Sequence, residues 1–241
     1  MKLRYDLSLA RLGQIAQMLY GLYGVRAPWV IGARFSLYLF HLLWRRGKRF
    51  NLDGRNYPYA FHLQYVTFRN ERTVEIPIAL QMLPWQGEIL EVGNVLPQYV
   101  AHVHDVVDKY EVDAGVLNED IVTYAPNKRY DLIVTVSTLE HVGWDEIPRE
   151  PEKLLRAIAH LKTLLRPRGQ LLITVPVAQN PFLDEAIRQD QLGLSRLLFM
   201  RRLNWRNDWE QTSQKEALTC RYNDPYPGAN AIVIGLYQTP P

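Results

Sequence analysis

Residues 87–95 read GEILEVGNV, and this stretch decides the fold class. An apolar run, Ile89-Leu90-Glu91-Val92, places an acid two residues before Gly93. Such a run suits a buried parallel strand that delivers a tight turn to a ligand. Further along, residues 130–142 (YDLIVTVSTLEHV) repeat the design, an apolar strand ending in polar residues. Residues 169–177 (GQLLITVPV) follow a helical segment that stops at Arg166-Pro167-Arg168-Gly169. Strands alternating with helices predict an open α/β sheet with its site at the C-terminal ends of the strands.

The other elements follow from the same patterns. A short helix is expected after Pro97, and a second strand over Val103 to Val107, ending at Asp108. Glu119 to Val122 reads as a brief third strand, Leu132 to Val136 as a fourth and Leu171 to Val175 as a fifth. Leu154, Ile158, Leu161 and Leu165 recur at helical spacing, behind Pro151 at a first helical position. Leu192 to Phe199 reads as helical, a strand is expected within Trp205 to Thr212, and Ala231 to Tyr237 is a late apolar strand.

Composition bounds the class. With 241 residues, 47% hydrophobic and 22% charged, the chain has the makeup of a globular protein with a sizeable core. Its one cysteine, Cys220, rules out an intramolecular disulfide framework and fits a reducing compartment. The net charge of +3 hides a split: residues 1–60 carry ten Lys/Arg against Asp6 and Asp53. A basic arm of this kind suits an anionic surface, or a solvated basic helix packed on the domain.

Leu12, Ile15, Leu19 and Tyr23 predict a helix over Ser8 to Tyr23, and Pro28 then breaks the chain. Trp29 to Trp44 is almost wholly apolar, with Arg34, His41, Arg45 and Lys48 in one polar stripe opposite a wide Trp/Phe/Leu face. His41 reads as part of that stripe rather than as a ligand. The run is short for a membrane span and holds an arginine. Two readings stand: residues 29–48 lie in a membrane interface against anionic lipid, or form an amphipathic lid packed on the rest of the chain or on a second copy in a homodimer. Arg46 to Tyr59 resembles a linker. In Tyr59 to Leu83, the cluster Arg69, Asn70, Glu71, Arg72 and Glu75 suits either a solvated helix start or a substrate lid. The boundary between a helical N-terminal extension, 1–84, and a ligand-binding domain, 85–241, is expected near Pro84 to Gly87.

The acids have a physical logic. A glycine turn admits a ligand closely, and the following helix N-terminus favours an anionic group. An acid ending the second strand can accept from ribose hydroxyls, and a third can accept from an exocyclic amine. Together they suit a nucleoside carrying a carboxylate or phosphate. Asp108 and Asp120 also each read as strand-end caps.

On these residues the chain resembles class I S-adenosylmethionine-dependent methyltransferases. Glu91-Val92-Gly93 matches the start of that family's acid-x-Gly-x-Gly signature, and Asn118-Glu119-Asp120 its third-strand acidic position. Residues 130–134 with Leu139-Glu140-His141-Val142 match its fourth-strand motif, and Leu165 to Gly169 with Leu171 to Pro176 its turn and fifth strand. More loosely, Asn70 to Pro77 and Ser137 to Trp144 resemble members associated with glycan biosynthesis. The chain departs at Val95, where the family has its second glycine.

The resemblance implies a Rossmann-like, doubly wound, mostly parallel seven-stranded sheet with helices on both faces. It implies S-adenosylmethionine as cofactor. Glu91 would organise the loop around the methionine amine, Gly93 would admit the cofactor, and Asp108, or Glu111 if the strand ends late, would take the ribose hydroxyls. Asp120 would face the adenine amine and Ser137 would sit beside the cofactor. Transfer to a hydroxyl benefits from a base. His141 is placed for that role, with Asp145 and Glu146 as alternates, and none of the three has a diagnostic metal-ligand spacing.

The implied activity is O-methylation of a sugar, glycan precursor or other small molecule, by a cytoplasmic protein at most peripheral to the inner face of a membrane. The competing class is a catalytically silent methyltransferase-like binding module. A nicotinamide dehydrogenase is disfavoured, since no glycine follows Gly93 before Gly115. No nucleic-acid motif accompanies the basic arm.

Overall fold

The computed structural model describes every residue except 1–8, 46, 63–65, 83 and 102–103, and every side chain in the described helices except those of residues 9–12, 14–15, 18 and 42. Ser8, Arg46, Leu83 and Val103, and the side chains of Leu12 and Ile15, therefore lie outside the described residues.

The chain opens with helices α1 (Leu9–Tyr23) and α2 (Ala27–Arg45), then a hairpin of β1 (Arg49–Leu52) and β2 (Arg55–Pro58), then α3 (Arg72–Met82). Strands β3 (Ile89–Val92), β4 (Asp105–Val107), β5 (Val116–Leu117) and β6 (Tyr130–Val136) follow. Helix α4 (Lys153–Thr163) leads to β7 (Leu165–Pro176), and α5 (Pro181–Arg188) to β8 (Arg196–Arg202) and β9 (Trp209–Thr212). The chain closes with α6 (Gln214–Ala217) and β10 (Ala231–Gln238).

Eight strands form one sheet in the order β5-β4-β3-β6-β7-β10-β8-β9. From β5 to β7 every pairing is parallel, and β10, β8 and β9 are antiparallel to their neighbours. The chain winds outward from β3 to β5, then returns to lay β6 on the other side of β3. The crevice at that reversal, beyond the carboxyl ends of β3 and β6, is where an open sheet of this kind binds ligands. The architecture is the expected Rossmann-like sheet of seven strands, with β9 added at one edge.

Strand alternation divides the core between the two faces. Ile89, Leu132, Val134, Leu172 and Ile234 pack with the hairpin and α3, while Leu90, Ile133, Leu171, Ile173 and Val233 pack with α4 and α5. Pro77 lies inside α3 and cannot donate to the carbonyl of Thr73. Ala60 N–H fills that vacancy at 2.8 Å, tying the segment after β2 to the helix.

Four expectations are corrected. The linker-like stretch is a hairpin, because Asp53 (φ 54°) and Gly54 (φ 72°) form the two-residue turn whose twist matches paired strands. Leu192 to Phe199 is not helical: residues from Arg196 onward pair with β10, and from Phe199 also with β9, as β8. Glu119 to Val122 is not a strand. The third strand is Val116–Leu117, and Asp120 instead starts a turn by accepting from Val122 N–H at 3.1 Å. The cluster at the start of α3 is only partly solvated: Arg69 is exposed and Asn70, Glu71 and Arg72 are half-buried, but Glu75 is buried with the rest of Thr73 through Leu80.

Helix α2 turns part of its polar stripe inward, with His41 and Arg45 each 1% exposed and Arg34 half-buried, while Lys48 and the apolar Trp29, Phe35, Phe40, Leu43 and Trp44 are exposed. Arg45 explains this orientation. Its guanidinium meets Asp208 at 3.1 Å, donates to the carbonyl of Arg206 and lies 4.2 Å from the Tyr59 ring centroid. The ion pair, the carbonyl and the aromatic face offset part of the cost of burying this guanidinium, whose Nε has no hydrogen-bond partner.

Candidate active site

The sheet reversal opens into a cavity of about 840 Å³. Its lining comes from the turn after β3, the ends of β4 and β6, and the segment entering α3. That volume fits a small molecule of cofactor size.

The β3 turn is built by Glu91. Its carboxylate is fully buried, and Oε1 accepts from the amides of Val95 (2.9 Å) and Leu96 (2.7 Å) while Oε2 meets His104 Nε2 at 2.6 Å. Glu91 therefore lies beneath the loop and shapes it rather than lining the cavity. Gly93 adopts φ +89°, a left-handed conformation that favours glycine. Val95, at φ −105°, has an ordinary backbone conformation, and its side chain lines the cavity where the family pattern has a glycine.

At the end of β4, Asp108 Oδ1 accepts from the amides of Tyr110 and Glu111, each at 2.8 Å. This turn presents Glu111, whose Oε1 accepts from Asn94 Nδ2 at 2.9 Å. Asp108, Glu111 and Asn94 thus line one wall together. Carboxylates and an amide so grouped can accept from and donate to vicinal hydroxyls.

Asp120 lines the same cavity, inside a four-charge cluster. Lys153 Nζ lies 2.5 Å from Asp120 and 2.6 Å from Glu146, and Lys109 Nζ lies 2.9 Å and 2.7 Å from the same carboxylates. Burial opposes the charge on Asp120, but the hydrogen bonds from Lys153 and Lys109 outweigh it and hold the carboxyl at about 2. An adenine amine at this wall would share the Asp120 oxygens with two lysines and the Val122 amide. The lysines were not singled out from the sequence, which carries no pattern linking positions 109, 120, 146 and 153.

Beyond β6 the chain turns sharply. Ser137 is held at φ +40°, a strained conformation for a residue with a side chain. Its N–H donates to the carbonyl of Thr174 at 2.8 Å and its hydroxyl to Glu75 Oε1 at 2.7 Å. Arg72 lies 3.8 Å from Glu75 and donates to the carbonyl of Val136 at 2.9 Å. Residues 70–77 and 137–144 therefore meet, and Asn70, Arg72, Ser137 and His141 line the cavity together. Burial pushes the carboxyls of Glu75 and Glu140 up, Glu140 well above the usual range.

His141 is half-exposed at the cavity wall. Its Nδ1 lies 2.5 Å from Asp145 Oδ2, and its Nε2 lies 3.5 Å from Gln179 Nε2 and 3.7 Å from Glu140 Oε1. A carboxylate on Nδ1 assigns the proton there and leaves Nε2 as the acceptor, the tautomer a general base requires. The cavity thus gathers Gly93, Asp108, Asp120, Ser137 and His141, with Glu91 behind the loop. Asp145 and Glu146, the alternates, line it too.

Fold and cavity define an open α/β protein with a nucleoside-compatible crevice at its sheet reversal. No protein-family model matches the chain, and a search of curated proteins finds no match. Among solved structures it is similar to the N-methyltransferase NodS from Bradyrhizobium japonicum, at 12% identity and TM-score 0.34, over 64% of this chain and 86% of that one. A methyltransferase from Thermotoga maritima matches at 16% identity and TM-score 0.39, over 66% and 86% of the two chains. A TehB-like methyltransferase from Corynebacterium glutamicum matches at 16% and 0.38, over 69% and 87%.

Proposed function

We propose that this chain is an S-adenosylmethionine-dependent methyltransferase acting on a hydroxyl of a sugar or glycan precursor. The observation that carries the reading is the convergence of Gly93, Asp108, Glu111 and Ser137 with His141 on one cavity at the carboxyl rim of β3, β4 and β6. The donor set fits the cofactor. Asp108, Glu111 and Asn94 would hold the ribose hydroxyls, the Gly93 turn shaped by Glu91 would take the methionine end, and Ser137 would flank it. When bound, the cofactor supplies an electrophilic methyl group on a sulfonium.

The remaining work falls to this chain. His141 Nε2 accepts the acceptor's hydroxyl proton while Asp145 steadies the imidazole through Nδ1. Asn70 and Arg72 orient the acceptor at the same end of the cavity. Alignment and exclusion of water supply much of the remaining rate.

Calorimetry with S-adenosylmethionine and with S-adenosylhomocysteine tests binding; absence of heat from both ends the proposal. Labelled cofactor offered with sugar nucleotides and glycolipids then tests turnover. Binding with no transfer to any acceptor would assign the chain to the silent-module class.

A further inference from the structure

Helix α2 is packed inside out. Tyr38, His41 and Arg45 are buried against the domain. The helical period sets Trp29, Leu39, Phe40, Leu43 and Trp44 on the other side, and all are exposed, Trp29 by 84% and Leu43 by 73%. Trp205, on the loop after β8, extends the face by stacking on Phe40 at 6.1 Å. Contiguous exposed apolar surface of this kind marks an interaction site.

The charge around the face says what covers it. Residues 7–52 contain no Asp or Glu. Lys48 Nζ lies 4.8 Å, and the Arg206 guanidinium 4.6 Å, from the Trp44 ring centroid, so cations edge the apolar surface directly. Exposed Arg26 and Arg49 add to the same sign. A second copy pairing through this face would bring two basic rims together, with no acid in residues 7–52 to offset them. Tryptophans and a basic rim match the headgroup level of an anionic bilayer instead. Among the described residues no helix is long and apolar enough to cross a membrane, so the helix would lie in the interface plane.

We propose that the outward face of α2, with Trp205, docks the protein on an anionic lipid surface. The test is sedimentation of the full chain with vesicles of phosphatidylcholine alone, or of phosphatidylcholine with phosphatidylserine. The wild type is expected to pellet with the second and to be released by high salt. The double variant Trp29→Glu, Leu43→Glu, with its folding checked by circular dichroism, is expected to partition about a hundredfold less. Lys48→Glu with Arg206→Glu, which leaves the apolar face in place, is expected to abolish the preference for phosphatidylserine. A wild type that stays in the supernatant with both vesicles overturns the proposal, as does unchanged binding by both double variants. A dimer in analytical ultracentrifugation that Trp29→Glu, Leu43→Glu dissociates, without vesicle binding, would assign the face to a second copy and also overturn it.

Discussion

Gly93 and Thr138 are packed so closely that a β-carbon on Gly93 would fall 2.2 Å from Thr138 Oγ1 and 3.0 Å from Thr138 Cβ. The turn after β3 and the turn after β6 are thus fitted to each other without room for a side chain. The first turn carries the proposed methionine end of the cofactor and the second leads to His141, so their contact couples the two halves of the cavity.

Gly93→Ala is expected to weaken S-adenosylmethionine binding about tenfold or more, since φ +89° and the Thr138 contact both oppose a β-carbon. Adding Thr138→Ala should not restore it, because the backbone strain stays. Calorimetry reads the affinity, and an unchanged value in Gly93→Ala would remove this glycine from the site.

Glu75 is fully buried and accepts from Ser137, so its replacement separates geometry from charge. Glu75→Ala leaves the Ser137 hydroxyl and Arg72 without this partner and should cost ~1–3 kcal/mol. Glu75→Gln keeps the acceptor and, with the native carboxyl pushed up by burial, should cost less. Thermal melting of both variants measures the difference; an equal loss in each would show that the carboxylate charge matters instead.

His141→Ala is expected to lower turnover by about 10²–10⁴-fold while leaving cofactor affinity unchanged. Asp145→Asn should lower it less, because the imidazole remains but loses its charged orienter. Single-turnover kinetics with labelled cofactor checks both. Full activity in His141→Ala would demote the histidine to a structural residue.

The four-charge cluster gives an acid signature. Asp120 titrates at about 2 in the folded chain against an ordinary 3.8. As pH falls, the unfolded carboxyl binds its proton first, so this contribution is intact above 3.8 and is lost on the way down to about 2. Glu146, also held low by Lys109 and Lys153 against its burial, adds in the same sense. Denaturant midpoints through this window should fall in the wild type and flatten in Asp120→Asn. Parallel curves would exclude the ion pairs as the cause.

His41 works in a separate window. Burial, then the Arg45 charge, lowers it from 6.5 to about 4, with Arg202 and Arg69 acting with Arg45 and Asp208 against them. A depressed value means stability complete above 6.5 and lost as pH falls toward 4. Docking of α2 should loosen across that range, seen as faster proteolysis near α1 and α2, and His41→Leu should remove the dependence. A wild type that is insensitive there would sink the assignment.

Much of this was readable in order along the chain. The runs at Ile89, Leu132 and Leu171 gave the parallel strands because a strand buried on both faces must be continuously apolar. Glu91, Gly93 and Asp108 were legible because a strand end and its turn are local. Asp53-Gly54 is a hairpin-turn pair, but glycine and proline also mark linkers, so the local sequence does not separate the two. The N-terminus of α5 was likewise signalled, by Asn180 capping Phe182 and Leu183 with Pro181 at the first helical position.

The sequence alone determined the class of fold and the acids at its carboxyl rim, since periodicity and turn chemistry act over a few residues. Tertiary structure alone decided which face of α2 is buried and which partners Ser137 and Asp120 find. Arg45 meets Asp208 across 163 positions, and Ser137 meets Glu75 across 62. A burial preference read from one helix cannot include a counter-charge that folding brings from the other end of the chain.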